Sequence, residues 1–263
     1  MSNLKLKILA LDFDGVLCDG LVEYFQTTCK TYTQLWSSQP SSNLAATFYT
    51  LRPVIETGWE MPVLLRALIL GVKEEEILAN WPIVAQEIVT SEKLDSKKIA
   101  QQLDQVRDEW IKADLESWLS LHRFYPGVIN KVKQVLASST QLFIITTKEW
   151  RFAQKLLQEA GVNLEKENIF GKGVKRPKHQ TLRELITKFS VSNQEVCFIE
   201  DRLKTLHSVA QQPDLQGIRL FLADWGYNIE RDRQSVKEHS QIKLLSLEDF
   251  TKSTPLNEIS PEV

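Results

Sequence analysis

Two aspartates, Asp12 and Asp14, follow an apolar run near the start of the chain, where residues 9–20 read LALDFDGVLCDG. Residues i and i+2 of a strand point to the same face, so the two carboxylates can share one site. Ionised carboxylates in an apolar setting are costly unless a cation or hydrogen-bond donors neutralise them. The spacing therefore predicts a site where a positive group meets both acids. The alternative is a hairpin turn at Asp14 and Gly15, but the residues that follow read as the entry to a helix.

A second acidic pair, Glu200 and Asp201, ends another apolar run, VCFIE at residues 196–200. Alone, this pair is compatible with a solvated loop in which Arg202 is a surface partner. Together with Asp12 and Asp14 it indicates a carboxylate cluster, and oxygen ligands suit a hard cation. We therefore expect bound Mg²⁺.

Hydroxyl and lysine side chains complete the set of candidate residues. The run at residues 142–146, LFIIT, ends in Thr146 and is followed by Thr147 and Lys148. A hydroxyl at this place can donate to an anion. A surface pair of β-branched residues is the alternative. Further on, residues 171–182 read GKGVKRPKHQTL and lack the glycine spacing of a P-loop. An ordinary basic loop is possible there, but a lysine at a helix N-terminus adds to an anion site. The basic residues of this segment are Lys172, Lys175, Arg176 and Lys178.

The elements that must position these residues follow from the apolar patterns. Continuous apolar runs at residues 7–12, 142–146, 196–200 and 218–223 predict strands buried on both faces, and residues 243–247 are a weaker candidate. Helical patterns at residues 150–161 and 179–189 alternate with them. This alternation predicts a doubly wound α/β fold with a parallel sheet, in which ligands bind at the carboxyl ends of the strands.

A long segment with helical patterns separates the first two predicted strands. Residues 97–121 predict one long amphipathic helix, and SSQPSSN at residues 37–43 predicts a loop. We therefore predict an all-helical domain at residues 19–123, inserted into an α/β core made of residues 1–18 and 124–250. Residues 251–263 read as a polar tail.

Composition limits the classes of partner. The 263 residues include 32 basic and 34 acidic side chains, so the net charge of −2 favours neither nucleic acid nor an anionic membrane as partner. The apolar stretch at residues 61–72 contains Pro62 and Arg66 and is too short for a membrane span. Three cysteines without CxxC spacing predict reduced thiols and a cytoplasmic location.

In this order along the chain, the candidate residues resemble the four motifs of the haloacid dehalogenase (HAD) superfamily. DFDGVLCD resembles the first motif, IITT the second, a lysine near RPK the third and IEDR the fourth. The resemblance extends from Lys5 to about Asp224 and implies a HAD-like Rossmannoid core with a helical C1-type cap, similar to phosphoglycolate phosphatases. The fourth motif departs from the common GDxxxD form, because Glu200 replaces the glycine and Thr205 stands at the later acidic position.

The resemblance also implies a reaction and a role for each residue. It implies a Mg²⁺-dependent phosphatase that hydrolyses a small phosphorylated metabolite through an aspartyl-phosphate. Asp12 is the expected nucleophile, Asp14 the proton donor and acceptor, and Thr146 and Lys178 the groups that bind the phosphoryl oxygens. Lys175 is the alternative to Lys178. The expected metal ligands are Asp12, the Asp14 carbonyl, and Asp201 or Glu200.

Within the predicted cap, residues 49–62 read YTLRPVIETGWEMP and are its most unusual stretch. Arg52 and Glu60 are candidates for substrate binding, together with Thr147 of the core. Helix-surface charges around a core Trp59 are the alternative. Caps supply much of the specificity in this family, and phosphoglycolate is the substrate suggested by analogy alone.

Three other functions are weighed against a phosphatase. A phosphomutase of the same superfamily returns the phosphoryl group to a sugar, and a non-catalytic member uses the cap to bind a protein. A dehalogenase is disfavoured, because its chemistry does not need Asp14 as a proton donor. The presence of all four motifs favours an enzyme over a binding module.

Overall fold

The computed structural model describes residues 5–252 and divides the chain into two compact units. One unit consists of Met1–Asp19 and Arg123–Val263, and the other of Gly20–His122. The sequence places the insertion at residues 19–123. Residues 253–263 of the predicted tail lie outside the described residues.

The first unit is built on a six-stranded parallel sheet with the strand order β5-β4-β1-β6-β7-β8. Its strands are β1 (Ile8–Leu11), β4 (Gln141–Ile145), β5 (Ile169–Phe170), β6 (Val196–Glu200), β7 (Arg219–Ala223) and β8 (Ile242–Leu245). Each of the runs predicted as strands forms one, and the weaker candidate at residues 243–247 overlaps β8.

The sheet is covered on both faces, as its continuous apolar runs predict. All four residues of β1 are fully buried, so successive side chains on opposite faces both meet protein. One face packs Ile8, Phe143 and Phe198 into a cluster with Leu182 and Leu206. Within residues 5–252, six α-helices belong to this unit: α7 (Val128–Leu136), α8 (Trp150–Glu159), α9 (Lys178–Phe189), α10 (Leu203–Ala210), α11 (Glu230–Lys237) and α12 (Leu247–Thr251).

The register of the central strands decides where the candidate residues meet. Leu11, the last residue of β1, pairs with Ile144 of β4 on one side and with Ile199 of β6 on the other. Parallel strands in this register end at one edge of the sheet, so the residues after β1, β4 and β6 lie together there.

The second unit is helical. Its helices are α1 (Leu21–Trp36), α2 (Ala45–Leu51), α3 (Glu60–Ile69), α4 (Glu74–Ser91), α5 (Ser96–Ala113) and α6 (Leu115–Leu119). The prediction of one helix over residues 97–121 is wrong, because Asp114 separates α5 from α6. Asp114 adopts φ −155° and ψ 83°, and its side chain accepts a hydrogen bond from the Ser117 N–H at 3.0 Å. An aspartate that caps a new helix ends the preceding one.

The chain leaves and re-enters the α/β unit through a small antiparallel pair, β2 (Cys18–Asp19) and β3 (Arg123–Phe124). Cys18 pairs with Phe124 and Asp19 with Arg123. No helix within residues 5–252 has the length and apolar character needed to cross a membrane.

Candidate active site

Asp12 and Asp14 lie directly after β1. The Asp12 N–H donates to the Ile199 carbonyl at 3.0 Å, which continues the ladder between β1 and β6 by one residue. Asp12 Oδ1 accepts the Phe13 N–H at 2.7 Å, and the residue is buried. The ladder and this local bond fix the Asp12 carboxylate at the carboxyl edge of the sheet.

Gly15 makes the turn after the two aspartates possible. Its φ is +82°, a backbone conformation that residues with a side chain rarely adopt. A Cβ atom built there would lie 2.1 Å from Asp201 Oδ2. The turn is closed by hydrogen bonds from the Leu17 and Cys18 N–H groups to the Phe13 carbonyl. The glycine therefore lets the loop after β1 pass against the carboxylate that follows β6.

Lys178 lies between two of the predicted acidic residues. Its Nζ is 2.9 Å from Asp12 Oδ2 and 2.7 Å from Glu200 Oε2. Lys178 is the first residue of α9 and follows Pro177, whose extended backbone directs the chain into the helix. Lys175, the alternative from the sequence, is exposed and has a φ of +51°. Among these two lysines, Lys178 is the one that the structure brings to the carboxylates.

Glu200 and Asp201 are buried and held by different partners. Glu200 Oε1 accepts the Arg202 N–H at 3.1 Å, while Oε2 pairs with Lys178. Asp201 Oδ2 accepts the Tyr227 N–H at 2.8 Å, and the Asp201 carbonyl accepts Asn228 Nδ2 at 3.0 Å. Each side chain thus has a partner from another segment, Lys178 for Glu200 and Tyr227 for Asp201.

Burial dominates the electrostatics of this cluster. Desolvation, with the nearby charge of Glu200, raises the pKa of Asp12 to about 7 even though Lys178 opposes the shift. Burial also raises the pKa of both Glu200 and Asp201. For Lys178, burial lowers the pKa, but the charges of Asp12 and Glu200 outweigh it and the net shift is upward. Lys178 thus pairs with Asp12 and Glu200, and burial still leaves the ionised forms of all three acids poorly solvated.

The three acids form a donor set that fits a hard divalent cation. Asp12, Glu200 and Asp201 each offer one carboxylate oxygen, and these oxygens lie within 4.8 Å of one another. An oxygen-only set is typical of Mg²⁺ sites, and a cation would offset both the burial and the repulsion that raise the pKa values of the three acids. The residues present therefore fit the metal expected from the sequence.

Thr146 and Thr147 follow β4 but differ in exposure. Thr146 is buried, and its Oγ1 accepts the Lys148 N–H at 3.1 Å, so the hydroxyl keeps its own hydrogen for a further acceptor. The Thr146 N–H donates to the Phe170 carbonyl at 2.9 Å. Thr147, in contrast, is exposed.

Lys148 forms an ion pair with Asp14. Its Nζ lies 3.0 Å from Asp14 Oδ1 and 3.4 Å from Oδ2. The two aspartates of the first motif therefore have different lysine partners, Lys178 for Asp12 and Lys148 for Asp14.

Comparison with known proteins identifies the family. The model of the haloacid dehalogenase-like hydrolases matches residues 6–207, well over half of the chain. This protein belongs to the haloacid dehalogenase-like hydrolases. The family expected from the four motifs is confirmed, and so is the expectation of a hydrolase. No curated protein matches the sequence significantly.

Solved structures of similar fold support the architecture of this HAD-like hydrolase. A predicted phosphoglycolate phosphatase from Haemophilus somnus superposes with a TM-score of 0.59 at 17% identity, covering 95% of this chain and 96% of that one. A predicted phosphatase from Clostridium acetobutylicum has a TM-score of 0.59 at 14% identity, with 94% and 97% covered. A haloacid dehalogenase-like family protein from Streptococcus pneumoniae has 0.56 at 16%, with 94% and 95% covered. These likenesses confirm the predicted fold class, a doubly wound parallel sheet with an inserted helical segment.

The two substrate-binding candidates in the helical unit of the hydrolase have defined contacts within that unit. Glu60 Oε2 accepts the N–H groups of Glu56 and Thr57, both at 2.6 Å, and Oε1 accepts Trp81 Nε1 at 3.3 Å. Glu60 therefore fixes the loop that precedes α3. The Arg52 guanidinium lies 4.9 Å from the centroid of the Tyr24 ring, and Nη1 donates to the Ile55 carbonyl at 3.0 Å. Substrate contacts by Arg52, Glu60 and Thr147 remain predictions.

Two residues of the site had no role assigned from the sequence. Lys148 stands two residues after Thr146, and this position at a strand end was the signal that could have drawn attention to it. Tyr227 holds Asp201 through its backbone N–H. A backbone contact leaves no signature in residue type, so no pattern in the sequence points to Tyr227.

Proposed function

We propose that this hydrolase is a Mg²⁺-dependent phosphatase that hydrolyses a small phosphorylated metabolite through an aspartyl-phosphate on Asp12. The observation that carries the proposal is the placement of Lys178, within 2.9 Å of Asp12 and 2.7 Å of Glu200, at the sheet edge that also holds Asp201. A carboxylate nucleophile needs this kind of cationic surrounding to approach an anionic phosphate.

Asp12, Asp201 and the Asp14 carbonyl would hold the cation, with Glu200 as the alternative carboxylate ligand. When bound, Mg²⁺ supplies positive charge that offsets the carboxylates and the phosphoryl oxygens. Tyr227 and Asn228 keep Asp201 in place for this role through the bonds described above.

In the first half of the reaction, an Asp12 carboxylate oxygen attacks phosphorus and the bond from phosphorus to the alcohol oxygen breaks. Asp14 gives a proton to the leaving oxygen, so the product is a neutral alcohol. The Thr146 hydroxyl and the Lys178 ammonium donate to the phosphoryl oxygens, where negative charge develops.

In the second half, water replaces the aspartyl group on phosphorus. Asp14, now ionised, takes a proton from the water as its oxygen attacks. The bond between phosphorus and the Asp12 oxygen breaks, which releases inorganic phosphate and restores both carboxyl groups to their starting states.

The site and the similar solved structures support a substrate class for this proposal. A phosphomonoester of a small molecule fits a family whose structurally similar members include proteins described as predicted phosphoglycolate phosphatases. Phosphoglycolate is therefore the first compound to test in a panel of phosphorylated metabolites. We also propose a cytoplasmic location, where such metabolites occur and where Cys18, Cys29 and Cys197, none of which forms a disulfide, stay reduced.

The test is hydrolysis of 4-nitrophenyl phosphate with Mg²⁺ and with a chelator, by the unsubstituted protein and by Asp12→Asn. We expect the chelator to abolish turnover and D12N to lower kcat by roughly 10³-fold or more, because the nucleophile is lost. Asp214→Asn is the matched control, since Asp214 pairs with Arg183 on the surface. Activity that survives both treatments contradicts the mechanism, and phosphoryl transfer to a sugar instead of water identifies a mutase.

A further inference from the structure

We propose that Lys148 is a positioning residue that holds the Asp14 carboxylate where it can exchange a proton with the substrate. The inference rests on the proposed phosphatase function and adds a residue to it. Lys148 acts in this proposal through Asp14 and does not bind the transferred phosphoryl group.

The ion pair between Lys148 and Asp14 is shielded from water. The Lys148 side chain is 6% exposed and that of Asp14 is 14% exposed. Exposed ion pairs contribute little because water and salt screen them, whereas a shielded pair persists and removal of one partner leaves a poorly solvated charge. The contact of 3.0 Å therefore fixes the position of the Asp14 carboxylate.

The backbone that carries Lys148 is itself held in place. Its N–H donates to Thr146 Oγ1 at 3.1 Å, and its carbonyl accepts the Lys172 N–H at 2.9 Å. Gly171 packs against this turn so closely that a Cβ there would lie 2.7 Å from the Lys148 carbonyl oxygen and 2.5 Å from the Trp150 nitrogen. A fixed backbone and a shielded side chain make Lys148 a rigid anchor.

The two lysines give the two aspartates separate tasks. Lys178 bridges Asp12 and Glu200, and Lys148 forms an ion pair with Asp14. Asp12 and Asp14 are two residues apart and repel each other when both are ionised. Lys148 thus supplies an attraction that keeps Asp14 apart from the nucleophile. A proton donor must stay within hydrogen-bond reach of the leaving oxygen, so its placement affects the rate directly.

The test compares two substrates of similar shape and different leaving group. Phenolate leaves less readily than 4-nitrophenolate, so cleavage of phenyl phosphate depends more on a proton from Asp14. We expect Lys148→Met to lower kcat/KM for phenyl phosphate about tenfold more than kcat/KM for 4-nitrophenyl phosphate, with similar KM values. Lys148→Arg, which keeps the cation, should recover part of the loss. Lys155→Met is the matched control, because it removes a lysine from the surface pair with Glu159.

A double-mutant cycle shows whether Lys148 acts through Asp14. In an Asp14→Asn background, adding K148M should cause no further selective loss, because the group that Lys148 positions is already inactive. This background also removes the unpaired carboxylate, so the double variant keeps the comparison available if K148M alone fails to fold.

Three results would overturn the role of Lys148. They are equal losses with both substrates, an effect confined to KM, and a full additional loss in the D14N background. Absence of turnover by the unsubstituted protein has a different meaning, because it contradicts the proposed phosphatase function itself.

Discussion

At the scale of residues, the two aspartates of the first motif differ in their neighbours and not in their own chemistry. Asp12 and Asp14 are chemically identical side chains, yet Asp12 is bonded to the loop backbone and to Lys178, whereas Asp14 pairs with Lys148. The proposed nucleophile and proton donor need different surroundings, and here the start of α9 supplies one lysine and the segment after β4 supplies the other.

We expect Gly15→Ala to lower activity by at least about tenfold and to destabilise the protein by more than about 1 kcal/mol, because strain at positive φ adds to a clash with Asp201. Gly71→Ala is the control, since Gly71 has a φ of +79° and nothing within 4 Å of an added Cβ. Kinetics and urea unfolding of both variants separate the two causes. Equal stability losses and unchanged activity in both would show that the approach of Gly15 to Asp201 does not matter.

The sequence predicts individual site residues well where a strand ends, and poorly where a contact depends on a distant segment. Asp12, Thr146, Glu200 and Asp201 were predicted to meet because each follows an apolar run, and the structure brings them to one edge. Lys178 is favoured over Lys175 from the sequence because it directly precedes a helical pattern, and the structure places Lys178 beside the carboxylates. The contact between Tyr227 and Asp201 depends on the folded backbone alone.

At the scale of elements, one buried carboxylate joins three helices of the helical unit. Glu23 of α1 accepts hydrogen bonds from Arg107 of α5, at 2.7 and 3.0 Å, and from Trp118 of α6, at 3.1 Å. Glu23 is fully buried, so these bonds replace the water it loses.

We expect Glu23→Gln to lower the free energy of unfolding by about 3–5 kcal/mol, because it leaves the buried Arg107 without its counter-charge. Urea unfolding measures this change. Glu116→Gln, on the exposed face of α6, is the control and should shift stability by less than about 0.5 kcal/mol. A similar small shift in both variants would contradict the assigned role of Glu23.

Local patterns in the sequence predict the strands and most helices, but they do not predict the boundary between α5 and α6. The runs that form β1, β4, β6 and β7 are continuous and apolar, and parallel strands buried on both faces require that pattern. The amphipathic period of residues 97–121 continues across Asp114, so it predicts one helix. The helix breaks because the Asp114 side chain caps the segment that follows it. The spacing of apolar residues carries no information about such a cap.

At the scale of the whole molecule, the pH acts on stability through Asp12, and a bound cation would act on the same group. Burial raises the pKa of Asp12 from its ordinary value of 3.8 to about 7. Between these values the native, metal-free protein keeps a proton that the unfolded chain has released, so stability falls as the pH rises through this window. Above about pH 7 the cost of the ionised carboxylate is fully present, and a cation that binds this form offsets it.

We therefore expect Mg²⁺ to raise Tm more at about pH 8 than at about pH 6, because protons compete with the metal below the pKa of Asp12. Thermal unfolding with and without MgCl₂ at both pH values measures the effect. Asp201→Asn, which removes one carboxylate of the cluster, should lose most of the shift, while D214N should keep it. A shift that is independent of pH, or unchanged in D201N, would contradict the metal site.

The antiparallel pair of β2 and β3 has a consequence for how such a protein can change over time. The chain departs at Asp19 and returns at Arg123, and these two residues face each other in the pair. When the two ends of an inserted segment already lie next to each other, the segment places no new constraint on the sheet into which it is inserted. Natural selection, or a protein engineer, can therefore lengthen, trim or exchange the residues between those two positions as a single cassette, while the strand ends that carry the acids and lysines keep their register.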